Sequence, residues 1–162
     1  MTVEIKGSCS GAGKRFALVV SRFNKGHMDR PVISEGLLKG ARETLLKHGV
    51  TESDITVAWV PGAYELPQAA NKLAQSGNFD AVICLGVLIR GETSHFDFIA
   101  AETARGIGDT ALGTGIPVAF GVLTTDTVEQ ALARAQDDKE NKGIESATAA
   151  LEMANLYEQL DN

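Results

Sequence analysis

Two short stretches of this chain hold side chains whose types and spacing suit them to chemistry. In IRGETSHF (89–96) a glycine turn leads into Thr93 and Ser94 at the start of a helical pattern, and backbone amides at such a start form a natural seat for an anion. His95 stands beside that seat. Imidazole titrates near neutrality, so a histidine there can move protons in a reaction that expels the anion, although a lone histidine also serves as surface or core filling. In PGAYELP (61–67), Pro61 and Gly62 precede Ala63, Tyr64 and Glu65 at a second helix start. Its amides suit a polar ligand. Glu65 has two readings, an acceptor for that ligand or a charge that stabilises the positive end of the helix dipole. Phe23, just beyond the apolar run FALVVS (16–21), offers a ring that stacks on a ligand or packs into the core. Arg134 in QALARAQ and Lys142 in ENKGIE are, on pattern alone, solvated helix charges.

Spacing argues against several other chemistries. In GSCSGAGKR (7–15), Ser8 stands where a phosphate loop needs its first glycine and Arg15 where it needs Ser or Thr, and the segment precedes a strand instead of following one. It reads as a flexible N-terminal arm. A phospho-acceptor domain needs acidic residues after its first strand and an aspartate at the end of its third, where this chain has Ser21, Arg22, Leu85 and Gly86. His27, His48 and His95 show no metal-ligand spacing with one another or with Cys9 and Cys84, so no metal is expected. Cys84, inside AVICLGV (81–87), reads as a small buried hydrophobe. Fifteen Lys and Arg against 21 Asp and Glu leave a net charge of −6, which gives no global attraction to nucleic acid or an anionic membrane. The N-terminal residues lack the apolar stretch of a signal peptide, and no run approaches the ~18 residues of a membrane span, so a soluble protein in a reducing cytoplasm is expected.

The elements that must position these segments are legible as alternating patterns. FALVVS (16–21), ITVAWV (55–60), AVICLGV (81–87) and PVAFGVL (117–123) are near-continuous apolar runs, as strands buried on both faces require. Between them, Leu37, Leu38, Ala41, Leu45 and Leu46 mark a helix ended by Gly49, and Leu66, Ala69, Ala70, Leu73 and Ala74 a second ended by Gly77. A third helix is predicted from about Phe96 to Ala111. Thr127 caps VEQALARAQ with Gln130 completing a capping box, and a last helix is predicted from about Lys142 to Leu160. The 162 residues suit one domain, and right-handed crossovers make the order βαβαβαβαα a flavodoxin-like α/β layer sandwich. Its four-stranded parallel sheet takes the order 2-1-3-4, with helices on both faces. Ligands in such sheets sit beyond the carboxyl ends of the strands, where PGAYELP and IRGETSHF fall.

Read together, RFN (22–24), VPGAYELP (60–67), IRGETSHF (89–96), PVAFGVLTT (117–125) and NKGIESATAALEMANL (141–156) resemble the 6,7-dimethyl-8-ribityllumazine synthase family over nearly the whole chain. The resemblance implies a transferase acting in the penultimate step of riboflavin biosynthesis. 5-Amino-6-(D-ribitylamino)uracil condenses with 3,4-dihydroxy-2-butanone 4-phosphate, releasing phosphate and water, without metal or redox cofactor. By the same resemblance Phe23 stacks on the pyrimidine, Ala63, Tyr64 and Glu65 line the ribityl site, and backbone groups of Val87, Leu88 and Ile89 read the pyrimidine edge. Glu92 and Thr93 offer amides to the phosphate, Arg134 pairs with it, and His95 transfers protons. Phe120 and Lys142 complete the pocket across a subunit boundary.

The family forms pentamers, many of which build a hollow sixty-subunit shell, and the resemblance leaves room for riboflavin synthase as a partner. A non-catalytic flavin or lumazine carrier on the same fold is the alternative; it would keep Phe23 and Glu65 but need neither His95 nor Arg134. Three features depart from the family pattern. The connection after Asn24 is several residues longer, with an inserted loop at 25–31 and a helix expected to begin near Pro31. Glu92 replaces a small residue, and Glu140 replaces a glycine common in shell-forming relatives.

Overall fold

A computed structural model describes residues 1–22 and 30–162. Its strands β1 (Phe16–Ser21), β2 (Ile55–Val60), β3 (Ala81–Ile89) and β4 (Val118–Thr125) form one parallel sheet in the order β2-β1-β3-β4. Helices α1 (Arg30–Lys47), α2 (Leu66–Gln75), α3 (His95–Thr114), α4 (Val128–Ala133) and α5 (Lys142–Leu160) alternate with them as the sequence predicts. Gly49 (φ 95°) and Gly77 (φ 73°) adopt the left-handed conformation that ends α1 and α2, which a side chain would strain.

Strand alternation divides the interior into two cores. Phe16, Leu18 and Val20 of β1 and Ile83 and Leu85 of β3 face α1 and α5, where Leu37, Leu45 and Leu151 close over them. Ala17, Val19, Val82 and Cys84 point to the other face and meet Leu66, Ala70 and Ile107 of α2 and α3. Burial pushes the Cys84 thiol up to about 12, so it stays protonated and acts as the small hydrophobe that its context implied.

The expectation that all four strands are buried on both faces holds for β1 and for most of β3, the inner pair, and fails for the edges. In β2 only Val60 is buried, and Val57 and Trp59 are exposed. A continuous apolar run cannot say whether its outer face is covered by the same chain. The predicted helix VEQALARAQ is also shorter than expected. Thr127 caps it, its hydroxyl accepting from Gln130 N–H at 3.2 Å, but it stops at Ala133 because the chain turns to bring Lys142 N–H to the Arg134 carbonyl at 2.9 Å.

The N-terminal arm differs from the flexible segment expected. Asn155 of α5 donates to the carbonyls of Ser8 (3.0 Å) and Ser10 (2.8 Å), Gln159 donates to that of Lys6 (2.7 Å), and the nearly buried Lys14 pairs with Glu158 at 2.6 Å. These bonds lay the arm along α5. Polar composition suggested freedom because backbone acceptors offered to a distant helix leave no local pattern.

Candidate active site

Beyond the carboxyl ends of β2 and β3 lies a cavity of about 320 Å³. One wall is the turn after β2, where a 3₁₀ turn (Ala63–Glu65) precedes α2. Here the Gly62 N–H donates to Glu65 Oε2 at 2.9 Å while the Glu65 N–H donates to the Gly62 carbonyl at 3.2 Å. The reading of Glu65 as a group that stabilises the helix start is thereby met. One oxygen holds the turn in shape, and the residue still lines the cavity.

The floor comes from β3. Its ladder to β1 stops at Val20–Leu85, whereas its ladder to β4 continues to Ile89–Thr125. Val87, Leu88 and Ile89 thus line the cavity along an edge that the described part of β1 does not pair. The far wall is the turn into α3, contributing Gly91, Thr93, His95, Phe96 and Ile99. Ser94 is the N-cap of α3 but makes no side-chain cap bond, and the His95 N–H makes only a 3.3 Å contact with Thr93 Oγ1. The start of α3 therefore carries no side-chain cap from Ser94. The His95 ring is exposed to the cavity rather than packed in the core.

Of the predicted site residues, Ala63, Tyr64, Glu65, Val87, Leu88, Ile89, Thr93 and His95 meet at this cavity. Glu92 is exposed in the turn beside it. Phe23 and the inserted loop fall outside the described residues, whereas α1 begins at Arg30, next to the Pro31 start expected. Phe120, Arg134 and Lys142 do not line the cavity of a single chain. Phe120 lies on β4 opposite Cys84 and is 40% exposed. Arg134 donates through Nη1 to the Gln130 carbonyl, Lys142 pairs with Glu145 at 2.7 Å, and the backbone bond between Arg134 and Lys142 keeps these two cations on one edge.

Phe96 and Ile99 also line the cavity, and sequence reasoning missed them; their signal was a spacing of three residues on the helix that carries His95. Arg90 was missed as well. Its guanidinium pairs with Asp97 and Asp126 and lies over the Phe96 ring.

A parallel α/β sheet in this order, with a cavity beyond its strand ends lined by Glu65, Thr93 and His95, defines the flavodoxin-like class, in which small molecules bind at that end of the sheet. Residues 13–158 match the family model of 6,7-dimethyl-8-ribityllumazine synthase, and the chain belongs to that family. It is a transferase of riboflavin biosynthesis, acts on small-molecule substrates and assembles with copies of itself. No helix among the described residues is long and apolar enough to cross a membrane.

Proposed function

We propose that this cavity is where the chain joins 5-amino-6-(D-ribitylamino)uracil to 3,4-dihydroxy-2-butanone 4-phosphate. The observation that carries the reading is that residues from two distant segments, PGAYELP and IRGETSHF, meet in one cavity with His95 on its wall. Phe23 stacks on the pyrimidine, whose polar edge meets the backbone of Val87, Leu88 and Ile89. Ala63, Tyr64 and Glu65 receive the ribityl chain, with the Glu65 oxygen that does not hold Gly62 accepting from its hydroxyls. The amides of Glu92 and Thr93 receive the phosphate. Both substrates are thereby held with amine against carbonyl, which supplies the proximity that a condensation needs. The 5-amino group forms a Schiff base with loss of water, phosphate leaves, and the ribitylamino nitrogen closes the ring on the remaining carbonyl with loss of a second water. His95 carries the protons between these steps. A non-catalytic carrier is not favoured, because it has no need of a proton-transfer group in its cavity.

The active unit we propose is a pentamer in which a neighbour supplies Phe120 and Lys142. The backbone bond from Lys142 to Arg134 carries Arg134 to the same boundary. Exposed apolar side chains support an interface: Trp59 on β2, Phe98 (69% exposed) and Leu112 (87% exposed) on α3, and Phe120 on β4.

Arg134 tests the phosphate end. A guanidinium fork holds two phosphate oxygens where an ammonium offers a point charge, so both Arg134→Ala and Arg134→Lys are expected to weaken inorganic phosphate binding, the alanine variant by about tenfold or more. Titration by calorimetry measures this. Equal affinity in wild type and both variants would remove Arg134 from the phosphate site.

A further inference from the structure

Arg90 leaves β3 directly before the turn 91–94. Its backbone N–H donates to the Thr125 carbonyl at 2.9 Å, anchoring the start of the turn to the end of β4. Its side chain anchors the far end. Nη1 donates to Asp97 Oδ1 in the first turn of α3 at 2.9 Å, Nε donates to Asp126 Oδ1 beyond β4 at 3.0 Å, and the guanidinium carbon sits 4.3 Å from the centre of the Phe96 ring. One planar group therefore ties together both ends of the turn, the loop after β4 and an aromatic wall of the cavity. Half-exposed ion pairs of this kind add little to global stability, so the arrangement matters for what it holds in place. Between its two anchors lie Gly91, Glu92, Thr93 and Ser94, with His95 and Phe96 immediately after.

We propose that Arg90 is a positioning residue for the phosphate-binding turn, clamping 91–94 between the end of β3 and the first turn of α3 so that its amides converge on the phosphate. The inference rests on reading that turn as the phosphate seat. Arg90 does not touch the reacting atoms; it acts through the turn, Asp97 and Phe96. Lysine cannot replace it, because an ammonium cannot donate in two fixed directions while lying flat on a ring.

The test compares wild type with Arg90→Gln, Arg90→Lys and Asp97→Ala. It reads inhibition by inorganic phosphate and the separate KM values of the two substrates. Arg90→Gln and Arg90→Lys are expected to raise the phosphate inhibition constant and the KM of the butanone phosphate about tenfold, the factor that ~1.4 kcal/mol of lost binding produces, with the KM of the pyrimidine close to wild type. Asp97→Ala gives the opposite sign for two explanations. Removing a carboxylate beside an anion seat should tighten phosphate by simple electrostatics, whereas loss of the clamp weakens it. Weaker phosphate binding in Asp97→Ala supports the clamp, and unchanged or tighter binding overturns it. Circular dichroism and particle mass establish that each variant is folded and assembled, and if Arg90→Gln is not, Asp97→Ala decides. Wild-type protein that is not inhibited by phosphate would overturn the seat and the clamp together. Wild-type inhibition with unchanged values in every variant would overturn the clamp alone.

Discussion

Replacing His95 with glutamine is expected to slow turnover by about 10²-fold while affinity for an inert pyrimidine analogue stays near that of wild type. A positioned proton-transfer group is worth ~10²- to 10⁴-fold, and the lower end applies because an amine and a reactive carbonyl condense without any catalyst. Glutamine preserves the approximate size and hydrogen-bonding capacity of the ring but cannot exchange a proton near neutral pH. His95 is the first residue of α3 and lies exposed at the cavity, so the substitution removes no core packing. The loss should therefore appear in kcat and not in the amount of folded protein. Steady-state rates with both substrates, set beside analogue binding by fluorescence, make the comparison. Wild-type turnover in the variant would take His95 out of the mechanism.

Gly143→Ala is expected to be strongly damaging for a change of a single methyl group. Gly143 occupies the first turn of α5, where a Cβ would overlap the Leu37 carbonyl oxygen of α1, a backbone atom that no rotamer change can move. Helix α5 cannot slide away to make room. Its N-cap, the buried Asn141, donates to the Gly36 carbonyl at 3.0 Å and the Gln136 carbonyl at 2.8 Å while accepting from Gly143 N–H at 2.8 Å and Ile144 N–H at 3.4 Å. Relieving the overlap breaks part of this set and leaves buried polar groups unpaired. Overpacking costs ~1 to 3 kcal/mol and more against rigid backbone, so a loss of about 3 kcal/mol is expected. At ~2 to 4 °C per kcal/mol for a chain of this size, Tm falls by roughly 6 to 12 °C. Phosphate affinity should fall with it, since the same cap sets the backbone that joins Lys142 to Arg134. A thermal unfolding curve that overlays wild type would show that α1 and α5 are not in the contact described.

How much of this could be read from the residues depended on whether the cause lay nearby in sequence. The inner strands β1 and β3 were legible because burial on both faces demands an unbroken apolar run, and the Thr127–Gln130 cap because its two partners are three residues apart. The exposure of β2 was not legible, since ITVAWV reads the same whether or not a helix or another chain covers its outer side. The arm along α5 and the early end of α4 depend on bonds from Asn155 to Ser8 and from Lys142 to Arg134, which no local pattern encodes. The same division runs through the site. Glycine turns ahead of helices marked Glu65, Thr93 and His95, and the sheet rule placed them together. Arg90 escaped notice because its partner Asp126 is distant in sequence and its stack on Phe96 exists only once β3 and α3 are folded. The proposed roles of Phe120, Arg134 and Lys142 came from family resemblance alone, because no local pattern marks work done at a subunit boundary.

Condensation of two particular small molecules by this chain is tested most directly by supplying both and following the product. Purified protein is mixed with 5-amino-6-(D-ribitylamino)uracil and 3,4-dihydroxy-2-butanone 4-phosphate, lumazine is followed by its absorbance or fluorescence, and inorganic phosphate is assayed in parallel. The expected result is lumazine and phosphate appearing in equal amounts, at a rate that rises in proportion to protein and falls in the His95→Gln variant. Lumazine forming no faster than in the same mixture without protein would contradict the account.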